Sequence, residues 1–327
     1  MAVRGEPRVP GRNRAGSGAA GESHRGSRTS VLVAVLVLLL GAVLAVLAAR
    51  GLRTLDPVQD FLRRYPGATP LRDDAPVGFP AFVAWQHGLN AFFLLFVIRS
   101  GWRLHRGGRP TTFWVRRAAG RPATRNPPIR IGIDLWSHYV GDTLWVLNGV
   151  VFLVLIFVTG QWLRLVPTDW GVIPNAVSAA LQYASLDWPV ANGWIDYNAL
   201  QTLAYFVVVF VAGPVSVLTG LRAAPGFAAR LRPLDRVFPL SAAKRLHWWT
   251  TLFFVAFIAV HVFLVLATGA VNNLNHMYAV RNDQSPAGAI VFAVSLVVSI
   301  AALLLARPRL VRTAAARTGT VVERPRR

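Results

Sequence analysis

Long apolar runs alternate with polar, arginine-rich segments along this chain. A helix needs about 20 apolar residues to cross a bilayer core. Six runs have that length or nearly so, at 31–49, 79–100, 134–163, 200–222, 242–268 and 287–306. The pattern predicts an all-α integral membrane protein with six transmembrane helices. Residues 1–30 and the stretch after Arg307 are rich in small and basic residues, which is typical of disordered tails.

Composition supports the membrane class and narrows the chemistry. The chain is 54% hydrophobic and only 15% charged, too apolar for a soluble domain. It has no cysteine, which excludes disulfides, thiolate metal sites and cysteine nucleophiles supplied by this chain. The net charge of +21 comes from arginines between apolar runs and is not accompanied by a nucleic-acid-binding motif. We therefore predict no nucleic-acid partner.

The distribution of arginines predicts the orientation in the membrane. Short loops rich in Arg and Lys stay in the cytoplasm. Basic residues cluster in four regions: the N-terminal tail, residues 99–130, residues 222–245 and the C-terminal tail. The segments 164–199 and 269–286 contain only Arg164 and Arg281, whereas loop 50–78 is an exception with five arginines. We predict a multi-pass protein of the inner (plasma) membrane with both termini in the cytoplasm.

Four units follow from this arrangement. They are a basic cytoplasmic tail (1–30), an extra N-terminal transmembrane helix with its outer loop (31–78), a four-helix core (79–270), and an outer loop, sixth helix and basic tail (271–327). The first apolar run follows a basic segment, as in a signal peptide, but its length favours an uncleaved helix. Within 164–199, "NAVSAALQYASL" predicts a short amphipathic helix on the outer interface.

Four histidines lie in or at the edges of the apolar helices: His87, His138, His247 and His261. The last two are fourteen residues apart, so their rings leave nearly the same face of one helix, separated by roughly 21 Å along its axis. With the topology read from the arginines, His87 and His261 share an outer depth. His138 and His247 share an inner depth.

Histidine pairs on facing helices, at two depths, are the arrangement that binds two b-type haems. Four-helix bundles build cofactor sites from inward side chains, and histidine is a common axial ligand of haem iron. We predict two non-covalent haems, with iron ligated by His87–His261 and by His138–His247. The alternative is that these histidines make hydrogen bonds or relay protons.

The core resembles a known family. "WQHGLNAFFLLFVIRSG", "LWSHYVGDTLWVLNGVVFLVLIFVTG", "LQTLAYFVVVFVAGPVSVLTGL" and "RLHWWTTLFFVAFIAVHVFLVLATG" are similar, in order, to the four core helices of the di-haem cytochrome b subunits of nickel–iron hydrogenases, formate dehydrogenases and thiosulfate reductases. The resemblance covers roughly residues 79–270, and it implies the same two histidine pairs.

The resemblance also implies a function. In that family a separate catalytic subunit carries nickel–iron or molybdenum chemistry, and the cytochrome exchanges electrons with quinone. We therefore expect an electron-transfer subunit between the quinone pool and a partner oxidoreductase, molybdopterin-dependent enzymes being one option, docked on the outer face. Two alternatives remain open. One is a haem-free proton-coupled transporter, and the other is a self-sufficient di-haem, quinone-linked oxidase.

Six further residues are candidates for supporting roles. Asp142 lies within a predicted helix, four residues after His138 and on the same face. It is a candidate for quinone protonation, or for a hydrogen bond that orients a ligand. Lys244 and Arg245 precede His247 and could pair with haem propionates or anchor the helix at the cytoplasmic surface. Gly88, Gly141 and Gly149 could admit a flat macrocycle or serve helix packing.

Overall fold

The computed structural model describes residues 20–117, 130–188, 192–230 and 232–324. The described part is mostly helical and contains six helices long and apolar enough to cross a membrane. They are Ser30–Leu52, Ala81–Arg106, Ile133–Val158, Ala199–Ala223, Leu240–Ala267 and Ala287–Leu305. Each coincides with one of the predicted apolar runs. By length and composition the chain is a multi-pass membrane protein, as the hydropathy pattern predicts.

Shorter elements connect these spans. In chain order the helices are α1 (Ala20–Leu52), α2 (Asp56–Arg64), α3 (Ala81–Arg106), α4 (Ile133–Val158), α5 (Val172–Ala184), α6 (Ala199–Phe206), α7 (Gly213–Ala223), α8 (Pro225–Arg230), α9 (Leu240–Ala267), α10 (Ala270–Leu274), α11 (Ala287–Leu305) and α12 (Pro308–Thr318). A π-helical segment, Val207–Ala212, joins α6 to α7 in the fourth span, and another, Asn275–Ala279, follows α10.

Four of the spans share one core. In the described part, α3 packs against α4, and α7 packs against α9. The buried residues Leu94, Ala212 and Phe254 come from α3, the first π-helical segment and α9, and Trp145 of α4 packs against them. Because they bury one common apolar cluster, these helices form a bundle. The ends of the bundle are called the His87 end and the His138 end below.

Helix α1 stands apart from this bundle. Its apolar side chains are exposed along most of its length, and its contacts with the rest of the chain are made at its C-terminal end. There, Arg50 Nε donates to the Ser185 carbonyl oxygen at 3.0 Å, and Arg53 pairs with Asp187 at 2.6 Å. Arg50 and Arg53 of loop 50–78 therefore attach α1 to the His87 end. This contact explains why these two arginines occur in a loop that is an exception to the arginine distribution.

The predicted amphipathic helix within 164–199 is confirmed as α5. It buries Val172, Ala176 and Ala179 and packs against α6. The Asn175 side chain holds the loop after α2, since its Oδ1 accepts from the Gly67 backbone N–H at 2.9 Å. Helix α5 is thus part of a folded cap over the His87 end.

The His138 end carries a small sheet that the sequence did not predict. Strand β1 (Thr112–Arg116) pairs antiparallel with β2 (Arg130–Gly132) and with β3 (Gly319–Glu323), giving the order β2-β1-β3. The prediction of a disordered tail after Arg307 is therefore wrong for residues 308–324, because α12 and β3 find hydrogen-bonding partners on β1. At the other terminus α1 begins at Ala20, inside the predicted tail, and residues 1–19 lie outside the described part.

An ion pair joins two of the bundle helices at the His138 end. Asp134, in the first turn of α4, pairs with Arg103 of α3 at 2.9 Å.

Candidate functional site

The bundle brings the four helical histidines together as two pairs. The ring centres of His87 and His261 are 6.3 Å apart, with 55° between the ring planes. The ring centres of His138 and His247 are also 6.3 Å apart, with 89° between the planes. These are the pairs predicted from depth. They are called the His87 pair and the His138 pair.

The spacing within each pair fits one metal ion between the two rings. A metal–imidazole bond is about 2.0 Å long, and a ring nitrogen lies about 1.2 Å from the ring centre, so two imidazoles on opposite sides of a metal have centres about 6.4 Å apart. Each pair therefore offers two nitrogen ligands in a spacing suited to axial ligation, and no third protein ligand is needed when a macrocycle supplies the rest.

Hydrogen bonds determine which nitrogen of the His138 pair is free. His247 Nδ1 lies 3.1 Å from the Ser216 carbonyl oxygen and 3.0 Å from Thr219 Oγ1. A carbonyl oxygen can only accept, so His247 Nδ1 carries the proton and Nε2 keeps its lone pair. A metal ligand requires this tautomer, in which Nδ1–H donates to a second group and Nε2 faces the metal.

A related arrangement occurs around His138. Its Nδ1 lies 2.8 Å from Ser100 Oγ, and that hydroxyl donates its own hydrogen to the Phe96 carbonyl oxygen at 2.9 Å. Ser100 Oγ therefore accepts from Nδ1–H, which gives His138 the same tautomer as His247.

A glycine follows each of these hydroxyl residues and lies directly against the histidine ring. A Cβ at Gly101 would come within 3.3 Å of His138 Cε1, and one at Gly220 within 3.2 Å of His247 Cε1. Sequence reasoning missed Ser100, Gly101, Thr219 and Gly220. The sequence contains a hydroxyl residue followed by glycine near the end of two apolar runs, in "RSG" and "LTG". This pattern indicates a contact with a histidine only when the facing histidine is known.

The His87 pair has a different environment. His87 Nδ1 is buried and has no hydrogen-bond partner among the described residues. Tyr278 packs edge-on against His87 at 5.6 Å, Tyr205 packs edge-on against His261 at 6.0 Å, and Phe257 stacks on His261 at 5.5 Å. Aromatic rings therefore contact both histidines of this pair.

An apolar layer separates the two pairs. Leu94, Trp145 and Phe254 each lie seven residues, or about two turns, from a histidine of their own helix, so they share its face. Trp145 and Phe254 meet edge-on at 6.0 Å, and Trp145 Nε1 donates to Asn90 Oδ1 at 2.7 Å. The layer keeps the two histidine pairs as separate sites.

Asp142 lies beside the His138 pair, as predicted from its spacing. Its Oδ2 is 3.5 Å from His138 Nε2, which is too long for a good hydrogen bond. One residue of the adjoining turn, Tyr139, has a buried hydroxyl without a partner among the described residues. Tyr139 also lines a mainly apolar, open surface groove of about 340 Å³, together with Trp114, Ile131, Trp136, Val140, Thr143 and Leu144.

The remaining candidates take more peripheral positions. Lys244 and Arg245 are exposed at the start of α9, before His247. Gly141 packs against Val97 of α3, which is a helix-packing role, whereas a Cβ at Gly88 or Gly149 would meet no atom within 4 Å. Space beside Gly88 and Gly149 is therefore available next to the bundle helices.

Comparison with family models, with curated proteins and with solved structures finds no match for this chain. Its class therefore rests on the fold and the site. They define a multi-pass helical membrane protein that holds two histidine pairs at the two ends of a four-helix bundle.

Proposed function

We propose that this chain is a di-haem b-type cytochrome of the plasma membrane that passes electrons between quinone and a partner oxidoreductase. The observation that carries the proposal is the equal spacing of 6.3 Å in two histidine pairs on facing helices. The resemblance of residues 79–270 to di-haem cytochrome b subunits agrees with it and supplies the same pairs.

The chain's own residues would bind and orient the prosthetic groups. His87 and His261 would ligate one haem iron, and His138 and His247 the other. Ser100 and Thr219 accept the Nδ1 protons of the His138 pair, which keeps both Nε2 atoms ready for metal. Each haem, when bound, supplies one-electron redox chemistry that these side chains lack.

The two sites lie at different depths, which suits transfer across the membrane. His247 and His261 are fourteen residues apart in α9, or roughly 21 Å along its axis. With the arginine distribution setting the orientation, the His87 end faces outward and the His138 end faces the cytoplasm. The partner oxidoreductase then meets the His87 end, where α5 and the segment around His276 form the surface.

Quinone would bind near the His138 pair. An open surface groove of about 340 Å³, lined by Trp136, Tyr139 and other mostly apolar groups, adjoins the turn that carries Asp142. Ligand cavities of a few hundred Å³ are mostly apolar with a few polar groups. Quinone reduction consumes protons, and Asp142, beside His138, is placed to hold or move one.

One observation favours a second candidate function. The approach of Asp142 to His138 is also what a proton relay in a haem-free transporter would use. The two candidates differ in whether the purified protein contains haem, so one measurement separates them.

The test is a haem count on the full-length protein expressed with ample haem. We expect a pyridine haemochrome assay to give about two haems b per chain, with a reduced-minus-oxidised spectrum typical of low-spin haem. A matched control, His105→Ala, removes a histidine that stacks on Trp248 at 3.8 Å outside both pairs, and it should keep both haems. A folded, colourless protein would favour the transporter and refute the cytochrome.

A further inference from the structure

Two arginines in the described part are almost completely buried, and only one of them forms an ion pair with a described carboxylate. Arg222, 3% exposed, forms an ion pair with Asp235, and its Nε donates to the Phe238 carbonyl oxygen at 3.3 Å. Arg164, 2% exposed, has no carboxylate within ion-pair distance among the described residues. Buried charges are ordinarily paired, because removing a cation from water is costly. Asp196 acts on the charge of Arg164, but from beyond ion-pair distance. Arg164 is therefore a buried positive charge without a direct ion pair in the described part.

The contacts of Arg164 satisfy only part of its guanidinium. Nη1 donates to the Gly78 carbonyl oxygen and Nη2 to the Gly193 carbonyl oxygen, both at 2.6 Å. The guanidinium also lies over the rings of Phe79 at 4.4 Å and Tyr197 at 5.0 Å. Nε is buried and has no hydrogen-bond partner among the described residues. Neutral carbonyls and ring faces solvate the charge, and the carboxylate of Asp196 acts on it only from a distance.

The position of Arg164 connects it with the His87 pair. Arg164 closes the turn Gln161–Arg164, which follows α4 at the His87 end. The Tyr197 ring below the guanidinium is 5.1 Å from the Tyr205 ring, and Tyr205 packs edge-on against His261. Two aromatic rings therefore separate the guanidinium from a predicted ligand. Because Arg164 is buried, an anion in solvent does not contact it.

We propose that Arg164 binds a carboxylate of the prosthetic group held by the His87 pair, namely a haem propionate. This inference rests on the proposed function and goes beyond it by naming the residue that binds a propionate of one haem. Arginine binds carboxylates through charge-assisted, often bidentate hydrogen bonds, and its unused Nε–H belongs to the edge that such bonds use. Lys244 and Arg245, the propionate candidates from sequence, lie at the other end of α9 and do not serve this haem.

The test uses Arg164→Gln and Arg164→Lys in the full-length protein, with Arg222→Gln as the matched buried control. Redox potentiometry reads the two haem potentials, and resonance Raman spectroscopy reads the propionate bending bands. We expect Arg164→Gln to lower the midpoint potential of the haem that His87→Ala removes, because a lost positive charge favours ferric iron. Its propionate bands should shift as well. Arg164→Lys keeps the charge but not the planar fork, so its bands should shift while the potential changes little.

Several outcomes would overturn the inference. If the wild type binds two haems and neither Arg164 variant alters the propionate bands, the assignment of Arg164 fails while the cytochrome proposal stands. Equal shifts of both haems, or the same shift in Arg222→Gln, would indicate a general loss of packing and would also refute it. If Arg164→Gln does not fold, unchanged propionate bands in Arg164→Lys would refute the assignment of Arg164. A wild type without haem would refute the proposed function itself.

Discussion

The Nδ1 atom of His247 lies 3.1 Å from the carbonyl oxygen of Ser216. Because that oxygen can only accept, the contact fixes the proton on Nδ1 and leaves Nε2 of His247 free to bind a metal. His138 Nδ1 is held at 2.8 Å by Ser100 Oγ of α3. Residues of the neighbouring helices thus set the tautomer and the ring position of both histidines.

The glycines under these rings should be intolerant of larger side chains. Gly101→Val and Gly220→Val should each displace the adjacent ring and weaken haem binding at the His138 pair, since even a Cβ would meet the ring at 3.2–3.3 Å. Loss of outer-sphere support for a metal ligand typically costs 10–100-fold in affinity, which sets the scale. Haem content and the spectra of both haems are the measurement. Gly41→Val in α1, where a Cβ meets no atom within 4 Å, is the control and should keep both haems. Full occupancy in both test variants would contradict the role of the glycines.

The two histidine pairs should be separable. His87→Ala and His261→Ala should remove one and the same haem, and His138→Ala and His247→Ala the other, because each pair lies at its own end of the bundle. Redox titration identifies the lost component.

Electron paramagnetic resonance distinguishes the two haems further. The ring planes of the His138 pair cross at 89° and those of the His87 pair at 55°. The ferric signal of the haem at the His138 pair should therefore be the more anisotropic. The pairing is wrong if His87→Ala and His138→Ala remove the same component.

Asp142 should matter for quinol chemistry but not for haem binding. Asp142→Asn preserves the size of the side chain and removes its proton-transfer ability, so both haems should remain while reduction by a quinol analogue slows by roughly 10²–10⁴-fold, the usual contribution of a general acid or base. Asp134→Asn is the control, since Asp134 lies in the same helix and pairs with Arg103. Stopped-flow reduction of the purified protein measures the rate. A wild-type rate in Asp142→Asn would remove Asp142 from the mechanism.

The orientation can be tested with single cysteines, because the chain has none of its own. Asp73 is exposed at the His87 end and Arg309 at the His138 end. In intact cells we expect a membrane-impermeant maleimide to label Asp73→Cys strongly and Arg309→Cys only after the membrane is opened, because the arginine distribution puts the His138 end in the cytoplasm. The reverse labelling pattern would invert the topology, and with it the depths of the two pairs.

The cap at the His87 end should lose stability in acid. His276 is 3% exposed, and its Nε2 donates to Asn282 Oδ1 at 2.9 Å. Burial lowers the pKa of His276, and the charge of Arg164 acts in the same direction. The unfolded state therefore binds a proton that the folded state resists, and stability falls as the pH drops below about 6.5. Thermal unfolding of wild type and His276→Gln across this range should show a shallower acid loss in the variant. Identical pH profiles would exclude His276 as a contributor.

Hydropathy and residue spacing predicted the membrane-spanning helices and the histidine pairs, because a bilayer allows few backbone structures to cross it. Each apolar run long enough to cross became a helix, since backbone groups within lipid must bond inside their own segment. The spacing of His247 and His261 placed both on one face, and the arginine distribution set their depth. These inferences use only local geometry and charge, so the histidine pairs could be predicted from the sequence.

Other features depend on contacts between segments far apart in the chain. Ser100 and Gly101 gain a role only because α3 packs against α4, and β3 is a strand only because β1 offers it an edge after a long connection. In the sequence, Arg164 is the single arginine of segment 164–199. Its burial follows from the way Gly78, Gly193 and the aromatic rings pack around it. The pattern of apolar residues in the sequence predicts which segments form helices in the membrane. The partner of a buried polar group depends on tertiary packing.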